Sequence, residues 1–191
     1  MSSFQPAYLK ALSAHLADCL PPDRMVKELL IGTQKMILNV DPQKTLEDAF
    51  DAHFYPHLGV DKQLVIDRIL DFYQNVFPSL GCLTEKLPQA IDFIHDRQAA
   101  GDTVVVATNP LFPRIATHNR LVWAGLPVED THFSLVTTYE HMHFAKPNPA
   151  YYAEILAYLG YPTEKVIMIG NDRDEDILAA GHLEIPGFWL T

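Results

Sequence analysis

The chain has 191 residues, 48% of them hydrophobic and 20% charged, and its net charge is −10 at pH 7. A chain of this size and composition can bury a substantial core in one domain, or in a domain that carries a large insertion. So acidic a chain is a poor partner for nucleic acid or an anionic membrane surface. It has two cysteines, no signal-peptide pattern after Met1 and no apolar stretch that could span a bilayer, so we expect a cytoplasmic protein with free thiols.

Residues 1–80 are predicted to form a helical domain. Apolar side chains recur every three or four residues from Tyr8 onward, which is the spacing of one face of an amphipathic helix. Proline, glycine and aspartate interrupt this pattern and predict helix boundaries. Helices are predicted to end at Gly32 and Pro56 and to begin at Pro42 and Asp61. The aromatic residues between these boundaries are interpreted as core residues.

Residues 81–191 are predicted to form a doubly wound α/β sheet. Short apolar strands are predicted at 104–107, 133–138, 166–169 and 188–190, and helices alternate with them. Thr84 is predicted to cap the first of these helices, and Asn148 followed by Pro149 is predicted to begin the third. The strand at 166–169, ended by Gly170, has the apolar character of a fully buried strand in a parallel sheet.

Polar side chains follow three of the predicted strands. Thr108 and Asn109 come after the first strand, Lys146 lies in the loop after the second, and Asp172 and Asp176 follow the third. Parallel strands joined by right-handed crossovers bring these loops to one edge of the sheet. A hydroxyl, an amide and an ammonium group can bind phosphoryl oxygens, while carboxylates suit Mg²⁺. The sequence therefore predicts a site for a magnesium ion and a small phosphate ester.

Each of these residues also has a simpler interpretation. The acidic cluster at Asp172 can begin a helix, since carboxylates favour the helix N-terminus. Thr108 can be a helix cap, and Lys146 can be a solvated surface residue. His141 and His143 form an HMH pair that could bind a metal, although we favour two side chains on one face of an extended segment. The combination of three loops in one series of strands and helices favours the functional interpretation.

Three segments resemble motifs of the haloacid dehalogenase-like (HAD) hydrolases. VVVATN, with Thr108, resembles the family's second motif, an apolar strand that ends in threonine or serine. AKPNPAYY, with Lys146, resembles the third motif, a lysine before a helix. IMIGNDRDED, with Asp172 and Asp176, resembles the fourth motif, an apolar strand followed by an acidic pair. The resemblance implies a HAD-like, Rossmann-like parallel sheet core over residues 81–191, with residues 1–80 as an α-helical cap. It also implies that Thr108 and Lys146 act in catalysis, that Asp172 binds Mg²⁺, and that Asp176 binds Mg²⁺ or holds Lys146.

One motif of that family has no counterpart here. The family's first motif is an apolar strand followed by two aspartates in the pattern D-x-D-x-T or D-x-D-x-V, the nucleophile and the acid/base. No such segment exists here, since Asp18, Asp23 and Asp41 follow no apolar strand. The missing strand would be central, between those at 104–107 and 166–169. We therefore expect a fragment of a longer hydrolase, or a gene product whose start is misassigned.

The resemblance implies a Mg²⁺-dependent phosphatase of small phosphorylated metabolites that works through an aspartyl-phosphate. The chain by itself is expected to be inactive because it lacks the nucleophile. Two alternatives stay open at this point. One is a 2-haloacid dehalogenase, which uses the same aspartate chemistry without a metal, and the other is a HAD-like binding protein without catalytic activity.

Overall fold

A computed structural model describes residues 4–162 and 165–191. The first part of the chain forms four α-helices: α1 Phe4–His15, α2 Pro22–Ile37, α3 Leu46–Leu58 and α4 Lys62–Asp71. A π-helical turn, Phe72–Val76, and a 3₁₀ segment, Phe77–Leu83, continue from α4. In this part of the structure, and in the described remainder, no helix combines the length and apolar character that crossing a membrane requires.

Side-chain caps define the starts of two helices in the first part of the chain. The Thr45 hydroxyl accepts a hydrogen bond from the Asp48 N–H, and the Asp48 carboxylate accepts one from the Thr45 N–H. This reciprocal capping box starts α3 at Leu46, so the prediction that Pro42 begins the helix is wrong. Asp61 accepts a hydrogen bond from the Gln63 N–H and caps α4, as predicted.

Two predicted helix ends are also wrong. Helix α2 runs through Gly32, where a Cβ atom would lie 2.8 Å from the Phe50 ring, so this glycine serves close packing against α3. Helix α3 runs through Pro56 to Leu58 and ends at Gly59, which adopts a left-handed conformation with φ 72°. Glycine adopts that conformation without a steric penalty, so Gly59 is a more effective helix terminator than Pro56.

The helices of the first part enclose an apolar core rich in aromatic residues. The Tyr8 and Tyr73 hydroxyls hydrogen-bond to each other at 2.9 Å within it. Phe77 is fully buried, and its ring packs edge-on against Tyr8 and stacks on Trp123, which belongs to the second part of the chain. Other large buried members include Leu12, Leu16, Leu20, Met25, Phe54 and Phe72. The predicted core role of the aromatic residues is confirmed for these side chains.

The second part alternates strands and helices. Its helices are α5 Pro88–Ala99, α6 Arg114–Ala124, α7 Pro149–Tyr158 and α8 Ala179–Gly181. Its strands are β1 Val105–Val106, β2 Leu135–Val136, β3 Met168–Gly170 and β4 Gly187–Trp189. A π-helical segment, Arg173–Leu178, leads into α8. The predicted cap at Thr84 is wrong, because α5 begins at Pro88 and the Thr84 hydroxyl donates to the Gly81 carbonyl instead.

The strands form two parallel pairs. Strand β1 pairs with β2 in the register Val105–Leu135, and β3 pairs with β4 in the register Ile169–Phe188. Among the described residues no ladder joins the two pairs, so the single predicted sheet is present as two parallel halves. Ile167 and Ile169 are 58% and 38% exposed, so the prediction of a fully buried strand there is wrong.

The two parts of the chain are joined at the loop that precedes Lys146. The Leu46 and Glu47 N–H groups, at the start of α3, donate to the Met142 and Tyr139 carbonyls at 2.8 and 3.0 Å. Met36 and Leu46 of the helical part also share a second apolar core with residues that include Met142, Ala145, Tyr151, Ile155 and Ala180. The position of the lysine loop therefore depends on the helical part.

Candidate active site

The loop after β1 is fixed through its main chain. The Thr108 carbonyl accepts hydrogen bonds from the Thr137 hydroxyl and the Tyr151 hydroxyl, each at 2.8 Å. Burial raises the pKa of Tyr151 well above its usual value, so this hydroxyl stays a neutral donor. The Thr108 hydroxyl itself has no hydrogen-bond partner among residues 4–162 and 165–191. It is left free for a ligand.

Asn109 connects the three loops that the sequence predicts to meet. Its Oδ1 accepts a hydrogen bond from the Lys146 N–H at 3.2 Å, and its Nδ2 donates to the Glu175 carboxylate at 3.2 Å. Glu175 lies in the acidic segment that begins at Asp172. The amide of Asn109 is thus committed to protein partners, and in this structure it positions the loops.

Lys146 is buried, with 5% of its side chain exposed. Its ammonium group lies 2.5 Å from the Asp176 carboxylate, whose side chain is 8% exposed. The same ammonium lies 5.6 and 5.8 Å from the ring centres of Tyr151 and Tyr152, within cation–π range. The interpretation of Lys146 as a solvated surface residue is therefore wrong.

Asp172 and Asp176 have different environments. The Asp172 Oδ1 atom accepts hydrogen bonds from the Asp174 and Glu175 N–H groups, which makes Asp172 the cap of the helical segment that follows. The Asp176 carboxylate is buried, and its Oδ2 atom accepts a hydrogen bond from the Asp172 N–H at 3.0 Å. Asp172 is exposed, and its second oxygen points to no hydrogen-bond donor in the described chain.

Gly170 is a site residue that the sequence interpretation missed. It is the last residue of β3, in agreement with the prediction that it ends the strand, and a Cβ atom there would lie 2.2 Å from the Asp176 Oδ2 and 2.4 Å from its Cγ. Backbone and carboxylate approach so closely that only glycine fits. The signal was available, since a glycine in a strand often marks a close approach of another group.

Tyr151 and Tyr152 were also missed as site residues. They follow Lys146 in the motif AKPNPAYY, at the start of α7, and the sequence analysis gave them no role in the site. Tyr151 donates to the Thr108 carbonyl, and the Tyr152 hydroxyl donates to the Glu175 carbonyl at 2.9 Å. The helix therefore ties both neighbouring loops to the lysine.

The histidine pair has structural partners. The His141 Nδ1 lies 3.0 Å from the Thr138 hydroxyl, and the His143 Nδ1 lies 2.6 Å from the Glu154 carboxylate.

Within the described residues, no cluster of three histidine, cysteine, aspartate or glutamate side chains could hold a metal ion. A Mg²⁺ ion can bind with fewer than three protein ligands, because it often takes one or two protein carboxylates and completes its shell with water and phosphate. Asp172, with one oxygen unused, fits that role, whereas Asp176 is already engaged by Lys146.

The chain belongs to the haloacid dehalogenase-like hydrolases, whose family profile matches residues 5–183. This agrees with an α/β fold and with three motif loops that hydrogen bonds bring together.

Two curated relatives are similar over shorter stretches. Haloacid dehalogenase-like hydrolase domain-containing protein 3 of Danio rerio is 37% identical over 61 residues, which cover 32% of this chain and 25% of the relative. Glyceraldehyde 3-phosphate phosphatase of Methanothermobacter thermautotrophicus is 28% identical over 135 residues, which cover 69% of this chain and 56% of the relative. The chain thus spans a quarter and just over half of the length of these two proteins.

Proposed function

We propose that this chain forms the phosphate-binding and cap portion of a cytoplasmic, Mg²⁺-dependent phosphatase of small phosphorylated metabolites. The observation that carries the proposal is the convergence of the three motif loops. Asn109 hydrogen-bonds to both Lys146 and Glu175, and Lys146 pairs with Asp176. A free hydroxyl on Thr108 and a buried ammonium next to the acidic segment are suited to a phosphoryl group.

The proposed roles follow from these contacts. The Thr108 hydroxyl donates a hydrogen bond to a phosphoryl oxygen, and Lys146 offsets negative charge near it. Asp176 orients Lys146, and Asn109 keeps the two loops at a fixed separation. Residues 1–80 act as the cap over a core formed by residues 81–191, and the hydrogen bonds from α3 to the 139–142 loop support a fixed relation between them.

Asp172 is the proposed protein ligand of Mg²⁺, through the carboxylate oxygen that does not cap the helix. When bound, the metal would offset charge on the phosphoryl oxygens. Asp176 is assigned to Lys146 rather than to the metal, because both of its oxygens already accept hydrogen bonds.

The nucleophile is proposed to come from an aspartate outside these 191 residues. In the reaction, its carboxylate oxygen bonds to phosphorus as the ester oxygen leaves, and water then hydrolyses the aspartyl-phosphate. The two separate strand pairs support this proposal, since one parallel strand hydrogen-bonded to both β1 and β3 would join them into a single sheet. Such a strand would also lie beside the exposed side chains of Ile167 and Ile169.

The relative named as a glyceraldehyde 3-phosphate phosphatase supports a small phosphorylated substrate.

The test is hydrolysis of p-nitrophenyl phosphate, with and without Mg²⁺, by this chain and by a form extended upstream in its reading frame. We expect turnover only from the extended form, and its loss in Thr108→Ala and Lys146→Met. Thr103→Ala, an exposed threonine outside the site, is the control and should retain activity. Strong turnover by the 191-residue chain, abolished by Thr108→Ala, would show that the nucleophile is not missing.

A 2-haloacid dehalogenase is the second candidate, favoured by one observation. The pairing of Asp176 with Lys146 leaves Asp172 as the single carboxylate of the motif pair with an unused oxygen. A site that needs no metal accommodates this arrangement without further ligands. Release of halide from 2-chloropropionate by the extended form, undiminished by EDTA, would favour the dehalogenase over the phosphatase.

A further inference from the structure

A large cavity lies between the helical part and the α/β part. Its volume is about 840 Å³, and its lining includes Tyr8 and Phe54 from the helices, Val106 and Thr108 from the β1 region, and Arg120 from α6. Of the predicted site residues, Thr108 is the one that lines it. The cavity therefore extends from the free threonine hydroxyl into an apolar space walled by aromatic side chains.

Arg120 lines this cavity and has no ion-pair partner within the described residues. Arg68, Arg97 and Arg173 each lie within ion-pair distance of a carboxylate, whereas Arg24 and Arg114 lack one in the described chain but lie outside the cavity. Arg120 has no such partner among residues 4–162 and 165–191, and its guanidinium lies over the Phe112 ring, 5.6 Å from the ring centre. This contact orients the cation without neutralising its charge. The charge remains available to a ligand.

The surroundings of Arg120 favour an anion. The cavity wall is otherwise largely apolar, and Glu85, an exposed residue, is the other charged side chain that lines it. Arg120 is itself an exposed residue, so a ligand that enters the cavity from solvent can reach its guanidinium. An anionic group there would pair with this charge, because opposite charges attract, while the apolar wall contacts the rest of the ligand.

We propose that this cavity binds an organic anion with an apolar body, and that Arg120 pairs with its anionic group. In the phosphatase proposed above, and resting on that proposal, the substrate is a phosphate ester whose apolar part carries a second anionic group such as a carboxylate. Thr108 lies toward the phosphoryl end and Arg120 toward the carboxylate end. Arg120 thus determines specificity and takes no part in the bond-breaking step.

The test uses probes without phosphate, so it is independent of phosphatase activity. Cyclohexanecarboxylate and its uncharged analogue cyclohexanecarboxamide are titrated into the 191-residue protein and followed by two-dimensional NMR of the indole N–H groups. The chain has two tryptophans, Trp123 in the cavity wall and Trp189 in β4, so one reports on the site and the other is an internal control. We expect saturable shifts at Trp123, with the carboxylate about fivefold tighter than the amide, the size of one partly solvated ion pair.

Variants distinguish an effect of the Arg120 charge from an effect on folding. Arg120→Met is expected to abolish the preference for the carboxylate while binding of the amide is unchanged, and Arg120→Lys is expected to retain part of the preference. Arg114→Met, on the same helix but outside this cavity, should behave as wild type. Equal affinity of the wild type for the two probes, or shifts at Trp189 alone, would overturn the proposal. If the carboxylate preference is found and the extended protein hydrolyses no phosphate ester, the cavity assignment stands and the phosphatase assignment fails.

Discussion

The helical part and the rim formed by the three motif loops are held together by different forces. In the helical part, fully buried side chains such as Leu16, Phe72 and Phe77 form a continuous apolar core. At the rim, hydrogen bonds and the buried pair of Lys146 and Asp176 connect the loops. Apolar burial is non-directional, whereas ion pairs and hydrogen bonds fix atoms at defined positions. The helical core can therefore supply stability while the rim supplies geometry.

This difference implies that equal losses of stability have unequal consequences for binding. A cavity in the helical core lowers the free energy of unfolding and leaves the rim atoms in place. A change at the rim moves the groups that would contact a phosphate, even where its effect on stability is small. Substitutions that separate stability from phosphate binding therefore test the comparison directly.

The largest effect is expected from Asp176→Leu. This change leaves the Lys146 ammonium buried beside two tyrosine rings without its carboxylate. Breaking a buried ion pair by removing one partner costs about 3–5 kcal/mol. We expect a loss of that size in the free energy of unfolding, measured by urea denaturation, together with loss of inorganic phosphate binding in calorimetry.

The double variant Lys146→Met/Asp176→Leu is the control for this prediction. Replacing both charged partners with apolar side chains removes the unpaired charge, and such replacements are often neutral or stabilising. We expect the double variant to be more stable than Asp176→Leu alone and still unable to bind phosphate. A double variant as unstable as the sum of the two single changes would mean that the pair is not coupled as its 2.5 Å contact indicates.

The helical counterpart is Leu16→Ala. Leu16 is 1% exposed, and its truncation leaves a cavity in the core. We expect a loss of about 3 kcal/mol in the free energy of unfolding, with unchanged affinity for inorganic phosphate below the unfolding transition. Leu64→Ala is the matched control, because Leu64 is 79% exposed on α4 and should change stability by less than about 0.5 kcal/mol. Weaker phosphate binding by Leu16→Ala would contradict the division between the two regions.

A smaller effect, which differs between the two regions, is expected when either of two glycines is replaced by alanine. Gly170→Ala would bring a Cβ against the buried Asp176 carboxylate, so we expect a loss of about 1–3 kcal/mol and weakened phosphate binding. Gly32→Ala meets the ring edge of Phe50, a side chain that can rotate, and alanine favours the helix by about 1 kcal/mol. Its net effect on the free energy of unfolding, measured in urea, should be smaller than that of Gly170→Ala, and phosphate binding should be unchanged. The reverse order of the two variants would show that the Gly170 contact is not specific.

The sequence predicted element types better than their limits. Helical periodicity and the Asp61 cap identified most helices of the first part, because local signals decide them. The ends at Gly32 and Pro56 were wrong because packing and the left-handed Gly59 decide them instead. Strand β3 was expected to be fully buried from its apolar residues, but burial depends on which neighbours a strand has, and a single segment carries no such information.

At the site, the sequence predicted the convergence of loops but not the bonds within it. The position of each loop after a parallel strand was enough to predict that the loops at Asn109, Lys146 and Glu175 meet, although no ladder joins the two strand pairs in the described residues. The division of labour between Asp172, which caps a helix, and Asp176, which pairs with Lys146, depends on side-chain directions that spacing alone leaves open. The roles of Asn109 and Gly170 are likewise tertiary contacts, visible only once the loops are assembled.

The smallest effect concerns pH and the tyrosine pair of the helical core. Burial raises the pKa of Tyr8 to about 12, while its hydrogen bond to Tyr73 lowers it by less. Between pH 10 and 12 an unfolded tyrosine therefore loses its proton while the folded Tyr8 keeps it. The unfolded state then binds fewer protons than the folded state, so stability falls as the pH rises. We expect Tyr8 to contribute a loss of about 1 kcal/mol by pH 11, measured from urea midpoints at pH 9, 10 and 11.

Tyr8→Phe separates this contribution from other alkaline effects. It removes the titrating group, so its midpoints should fall less steeply with pH than those of wild type, although the lost hydrogen bond to Tyr73 lowers stability at every pH. Tyr161→Phe, at a 69% exposed tyrosine, should keep the wild-type slope. Parallel slopes for wild type and Tyr8→Phe would show that Tyr8 does not contribute to the alkaline sensitivity. A shallower slope for Tyr8→Phe would show that even a polar pair in this region affects stability through burial, in contrast to the rim, where the polar groups define a site.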